Sequence, residues 1–152
     1  ELDDYIMRER GLTNDETIEQ RKLAFVVELA ELAQEWRGFK YWSDNQEPSE
    51  KVLEEYVDVL HFALSLHNYY EGDTEYAMSI TLTLEEKEYL SKSKVLEWFS
   101  EILRGDDHYW REGAMLIVVV MLGSKLLLNA NDILKEYDRK YQINIERQNN
   151  GY

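Results

Sequence analysis

Ala114-Met115-Leu116-Ile117-Val118-Val119-Val120-Met121-Leu122 is the stretch that decides the fold class. Its β-branched centre, Ile117 to Val120, taken alone fits a buried strand, while its unbroken apolar character also fits a helix buried on all sides. A strand needs a partner to take its backbone hydrogen bonds. No second strand-like segment is present, and Thr81-Leu82-Thr83 is too short to serve. Helix is therefore the reading, and the rest of the chain agrees. One proline and seven glycines in 152 residues, with Leu, Glu, Lys and Ala abundant, favour helix throughout. The expectation is an all-α helical bundle forming one domain over residues 1–152. At nine residues the run is also too short to span a bilayer.

Working outward, Thr13-Asn14-Asp15-Glu16 has the form of a capping box. Leu23, Val26, Val27, Ala30 and Ala33 then repeat at helical spacing, predicting a helix to about Trp36 with that stripe as its apolar face. The single proline, Pro48, opens a second helix running to about Tyr70, where its missing N–H would have no partner. Val52, Leu53, Tyr56, Val57, Leu60, Ala63 and Leu64 form its apolar face. Gly72-Asp73 breaks it. A second capping box, Thr83-Leu84-Glu85-Glu86, starts a third helix carrying Leu90, Val95, Leu96, Trp98, Phe99 and Leu103 to a stop at Gly105. From His108 the pattern stays helical nearly to the end. The apolar Ala114 to Leu122 segment, extended by Leu126-Leu127-Leu128, exceeds what a small bundle buries internally, and this predicts a homodimer.

Charge and cysteine usage narrow the function. Lys and Arg number 17 against 31 Asp and Glu, a formal charge of -14, which disfavours a nonspecific grip on nucleic acid polymers or anionic membranes. A phosphate ligand must then be met by local basic residues or by metal ions. With no cysteine, a disulfide framework, a thiol nucleophile and Cys-ligated zinc are excluded, and a reducing, cytoplasmic setting fits. The start has no signal-peptide pattern, and a chain opening at Glu1 is expected to lack some natural residues.

Two central helices each carry an acidic pair at i,i+3, Glu28 with Glu31 and Glu55 with Asp58, so each pair shares a helix face. Spacing alone proves little, since acidic residues this frequent supply about six such pairs by chance. Context says more. Glu28 and Glu31 sit in Phe25-Val26-Val27-Glu28-Leu29-Ala30-Glu31-Leu32-Ala33, and Glu55 and Asp58 sit among Val52, Leu53, Tyr56, Val57, Val59 and Leu60. Four carboxylates facing one another across packed helices repel unless cations or protons compensate them. An all-oxygen set selects Mg, Mn or Ca, and Mg keeps positions open for water and phosphate. Solvated helix faces on an acidic protein are the plain alternative. A di-iron bundle fits poorly, because it wants Glu-x-x-His on two helices and this chain offers only Asp58-x-x-His61.

With these residues quoted, the chain resembles the all-α dimeric dUTPases of phage and bacterial type, within the wider MazG-like nucleotide pyrophosphatases. Three blocks in order carry the resemblance. Glu28-Leu29-Ala30-Glu31 running into Phe39-Lys40-Tyr41-Trp42-Ser43 resembles the family's E-x-x-E and aromatic segment. Glu55-Tyr56-Val57-Asp58 with His61-Phe62 is similar to its E-x-x-D and trailing His-Phe. Lys140, Asn144, Arg147, Gln148, Gly151 and Tyr152 match its C-terminal K-x3-N-x2-R-Q-x2-G-Y.

The resemblance implies hydrolysis of dUTP to dUMP and pyrophosphate with Mg held by Glu28, Glu31, Glu55 and Asp58, Glu31 also orienting the attacking water. Lys140, Asn144 and Arg147 fall at i, i+4 and i+7, one helical stripe able to clamp phosphate oxygens, with Lys40 reaching in from the first loop. An ordinary charged C-terminal helix has the same pattern. By resemblance Trp42 lies at the base, and His61 and Phe62 lie near the sugar, where a tight contact would exclude a 2'-hydroxyl. Trp42 capping the core and His61 as a satisfied interior residue are the plain alternatives. Asp3 stands where the family commonly has a uracil-contacting Asn. A pyrophosphatase of other or broader nucleotide choice, and a noncatalytic acidic protein that binds a regulator, are the competing readings.

Overall fold

The computed structural model describes residues 2–72, 74–75 and 92–150. Seven helices and no strand occur among the described residues: α1 (Leu2–Arg10), α2 (Asn14–Trp36), α3 (Val52–Tyr69), α4 (Lys92–Arg104), α5 (Asp107–Arg111), α6 (Ala114–Lys125) and α7 (Ala130–Asn149). Thr81-Leu82-Thr83, the Thr83 capping box and Leu90 lie outside them.

The Thr13 capping box forms as the sequence predicts. Glu16 N–H donates to the Thr13 hydroxyl at 3.3 Å, and the Thr13 backbone N–H donates to the Glu16 carboxylate at 2.9 Å. The helix it opens ends at Trp36, where Arg37 adopts the left-handed conformation and its N–H caps the Ala33 carbonyl. The buried face of α2, however, is Phe25, Leu29, Leu32 and Trp36, not the predicted stripe. Leu23, Val26 and Val27 are 66%, 45% and 45% exposed. Two apolar stripes run along this helix, and the one with the large rings wins the core. Phe25 meets Trp110 edge-on at 5.2 Å, and Trp36 meets Phe99 at 5.5 Å.

α3 packs against α2 over the most extensive helix contact among the described residues. The two run antiparallel: the Ser49 N–H ahead of α3 donates to the Glu35 carbonyl at 2.9 Å, and the Tyr69 hydroxyl near its end donates to Asp15 at 3.0 Å. That hold on Ser49 keeps Pro48 in the connection, and α3 starts at Val52 rather than at the proline. Val57, Val59, Ala63 and Leu66 are fully buried. Val59 and Leu66 lie beyond the predicted face, and α3 packs on α6 and α7 as well as on α2.

The nine-residue apolar run is the body of α6 and supplies core. Val119 and Leu122 are fully buried and Met115 nearly so. Of its Leu126-Leu127-Leu128 extension, Leu127 is 73% exposed. Tyr56 is buried against α6 and donates to the Val119 carbonyl at 3.3 Å. Gly123 makes that approach possible, since a Cβ there would sit 2.4 Å from the Tyr56 ring. The continuous helix expected after His108 is broken at Gly113 (φ 71°) and again at Leu127 (φ 60°), after which Asn129 caps α7 through the Asn131 N–H at 2.9 Å. The second break turns the axis by 115°. α7 thereby packs on α3 and α1 instead of continuing away from them, and this turn builds the site. No single described helix is long and apolar enough to cross a membrane.

Candidate functional site

Burial of Leu29 and Leu32 on α2, and of Tyr56, Val57 and Val59 on α3, fixes the roll of both helices. Their acidic pairs then point at one another. Glu28, Glu31 and Glu55 each place a carboxylate oxygen within 4.8 Å of the others, Glu28 and Glu55 half-buried and Glu31 exposed. Asp58 stands beside this trio and takes a cation of the chain itself. The Lys140 ammonium on α7 donates to Asp58 Oδ2 at 2.6 Å and lies 2.8 Å from Glu54, which Arg139 also approaches at 3.5 Å. The quartet thus divides into three converging carboxylates and one ion-paired.

The electrostatics follow from that division. Burial, with the charges of Asp58, Glu31 and Glu55 added to it, pushes the Glu28 carboxyl up from 4.5 to about 7, Lys140 offsetting part of the effect. Glu55 is shifted up for the same reasons, burial first and then Asp58 and Glu31. Burial works against the Lys140 charge, but its hydrogen bonds to Asp58 and Glu54 outweigh that and the ammonium is strengthened overall. Near neutral pH the Glu28 carboxyl is therefore close to half-protonated.

Beside the carboxylates opens a cleft of about 590 Å³ between α1, α3 and α7. It gathers Asp3, Glu28, Asp58, His61, Phe62, Lys140, Asn144 and Arg147, residues far apart in sequence. His61 is no satisfied interior residue. Its ring stacks on Tyr137 at 4.0 Å between centroids, and among the described residues neither ring nitrogen has a hydrogen-bond partner of good geometry. Burial holds its pKa down despite the Asp58 charge, so at neutral pH it offers one donor and one acceptor.

Lys40 and Trp42 do not line this cleft. Their loop is folded on itself: Lys40 donates to the Gln34 carbonyl at 3.2 Å, and the Gln46 amide donates to the Lys40 and Ser43 carbonyls at 3.0 and 3.3 Å. Trp42 is 65% exposed and packs edge-on against Phe39 and Tyr41, so it is not a cap on the core either. Besides His61 and Phe62, the rings that line the cleft are those of Tyr137 and Tyr141. Their signal was available, since Tyr137, Lys140, Tyr141 and Asn144 follow one helical stripe.

Such a site joins a hard-cation ligand set to a lysine, an asparagine and an arginine that share one wall with two tyrosines. It suits a small anionic ligand with a ring at one end. Over residues 1–152 the chain matches the family model described as dUTPase. No curated protein matches it.

Proposed function

Because the chain belongs to the dUTPase family and is a dUTP diphosphatase, we propose that it cleaves dUTP to dUMP and pyrophosphate in the cleft, using Mg held by Glu28, Glu31, Glu55 and Asp58. One observation carries the metal reading. Three carboxylates from two helices converge within 4.8 Å, and Glu28 is driven up to about 7 by burial together with its acidic neighbours. Oxygen ligands alone, in a strongly negative pocket, are a donor set that Mg fits and that zinc or copper does not select. When bound, the metal neutralises triphosphate charge and lowers the pKa of water.

The protein's own groups do the rest. Glu31, the exposed member of the trio, orients the attacking water and accepts its proton. Lys140, Asn144 and Arg147 hold phosphate oxygens, with Arg147 able to bond two at once. Lys40 joins them only if its loop leaves Gln34. His61 and Phe62 close around the deoxyribose, and Trp42, in the same loop as Lys40, reaches the base only if that loop moves. The active unit is a homodimer, supported by the exposed Leu23, Val26 and Val27 stripe and by Leu96 and Leu103, 40% and 62% exposed, on α4.

Pyrophosphate release from dUTP, dCTP, dTTP and UTP, with Mg present or chelated, tests this in the wild type and in Glu31→Gln. Turnover of dUTP alone, lost on chelation and in the variant, is expected. Comparable turnover of several nucleotides would replace uracil selectivity with the broader pyrophosphatase reading, and full activity in chelator would remove the metal.

A further inference from the structure

A row of alternating charges joins α7 to α3 beside the carboxylates. Arg139 donates twice to Glu136, at 2.8 and 2.5 Å, and lies 3.5 Å from Glu54. Glu54 in turn lies 2.8 Å from the Lys140 ammonium, which donates to Asp58 at 2.6 Å. Glu54, in the middle of the row, stands one turn before Asp58 on α3 and outside the converging trio of Glu28, Glu31 and Glu55. It does not line the cleft, whereas Lys140 and Asp58 both do. Any part it plays in the chemistry therefore passes through Lys140.

The Glu54 side chain is 41% exposed, and an ion pair at that exposure adds little to the stability of the fold. What it fixes is the place of an amine. The Lys140 side chain is only 16% exposed, and its ammonium has three donors. Asp58 takes one and Glu54 a second, and no third partner occurs among the described residues, which leaves one N–H for the cleft. The two carboxylates differ in what else they serve. Asp58 belongs to the quartet proposed to hold Mg, so a metal ion contests its bond to Lys140. Glu54 lies outside that quartet, and its bond outlasts the contest. The hydrogen bond from Lys140 also holds the Glu54 carboxyl below its ordinary pKa, so the partner stays charged throughout the neutral range.

We propose that Glu54 is a positioning residue for Lys140: it keeps the ammonium at the cleft wall once Asp58 is given over to the metal, so that the freed donors turn to phosphate and not back to Asp58. Without Glu54, Asp58 is the one carboxylate left holding Lys140 among the described residues. The lysine then competes with the metal ion instead of serving the nucleotide. Arg139, already paired with Glu136, steadies Glu54 from its other side. The inference rests on the reading of the cleft as a Mg-dependent dUTP diphosphatase site.

The test is a double-mutant cycle of Glu54→Gln and Lys140→Met, read by Mn binding to the nucleotide-free protein and by kcat and KM for dUTP at saturating Mg. Thermal melts check each fold, and Lys140→Gln takes the place of Lys140→Met if the latter melts early. In the wild-type background Glu54→Gln should weaken Mn binding about 3- to 10-fold, because Lys140 falls back on Asp58. It should raise KM about 5-fold and change kcat by less than about two-fold, the pattern of a contact made equally in the ground and transition states. In the Lys140→Met background the same substitution should move each quantity by less than about two-fold, since no ammonium is left to place. Equal weakening of Mn in both backgrounds would reduce Glu54 to one more negative charge near the site, and no change in either would leave it without a role; both results overturn the proposal. A wild type that binds Mn but leaves dUTP intact would remove the diphosphatase reading, while the Mn cycle still decides whether Glu54 holds Lys140 off Asp58. Failure of the wild type to bind Mn would overturn both.

Discussion

Lys140 on α7 sets its ammonium 2.6 Å from the Asp58 carboxylate on α3, so one of the four acidic side chains already carries a cation supplied by the chain. The same lysine belongs to the stripe proposed to hold phosphate, and it cannot serve Asp58 fully and a triphosphate at once. Metal arriving at the carboxylates competes with it for Asp58. Replacing Lys140 by Met should therefore have opposite effects on two ligands. Mn titrated into nucleotide-free protein should bind several-fold more tightly, because the pocket becomes more negative. kcat/KM for dUTP should fall about 10- to 100-fold, the loss expected for a charged hydrogen bond to phosphate. Unchanged or weaker Mn binding would show that Lys140 and the metal do not share Asp58.

The crowding of Glu28 makes a stability prediction with a definite sign. Its carboxyl titrates near 7 in the folded protein against an ordinary 4.5, and Glu55 is raised as well. The raised groups favour the folded state fully below about pH 4.5. As pH climbs from 4.5 to 7 the unfolded chain ionises first, and that advantage is lost. With EDTA present, the melting temperature should drop by at least about 2–4 °C between pH 5.5 and 8, the shift expected for each kcal/mol in a chain of this size. Glu28→Gln should flatten the slope and raise the melting temperature at pH 8. Added Mg should stabilise the wild type most at pH 8 and the variant least. Glu16, Glu54 and Asp107 are shifted down and act in the opposite sense at lower pH; His61, also shifted down by burial, acts in the opposite sense within the window below 6.5, so the slope is read as the difference between wild type and Glu28→Gln. An identical slope in the wild type and Glu28→Gln in EDTA would contradict the raised Glu28.

Gly123 permits the fully buried Tyr56 to reach the Val119 carbonyl, and a Cβ there would fall 2.4 Å from the Tyr56 ring. Gly123→Ala should destabilise by about 1–3 kcal/mol, the usual range for overpacking, although alanine is the better helix former. Urea unfolding measures it. A stabilised variant would mean that Tyr56 moves aside without loss.

What the sequence made legible, and what it did not, divides along physical lines. Thr13 and Glu16 announced α2 because a capping box is a local hydrogen-bond pattern, and the pairs Glu28 with Glu31 and Glu55 with Asp58 were visible because i,i+3 spacing is a property of one helix. Which apolar stripe of α2 faced inward was not visible. That choice was made by Trp110 and Phe99, which are remote in sequence and whose rings suit Phe25 and Trp36 better than Val26 or Ala30 would. The pairing of Lys140 with Asp58 likewise depends on the 115° turn after α6, a tertiary event signalled only by Asn129 as a cap. Glu54 escaped notice because one more glutamate on an acidic chain looks solvated until Lys140 and Arg139 are seen beside it.

The stripe left outside the core leads to the last prediction. Between α2 and α4 lies an apolar groove of about 400 Å³, lined by Val26, Ala30, Ala33, Leu96, Phe99 and Leu103, and Leu23 extends it along α2. Apolar surface gathered this way is normally covered, and a second copy offering the same helices would bury both grooves about a two-fold axis. Sedimentation of the wild type at micromolar concentration should give a dimer. The double variant Val26→Glu with Leu96→Glu should give a monomer of unchanged helix content, because neither side chain is fully buried and the carboxylates would meet their own copies across the axis. A wild type that stays monomeric up to high concentration, or a double variant that still dimerises, would place the partner contact elsewhere or remove it.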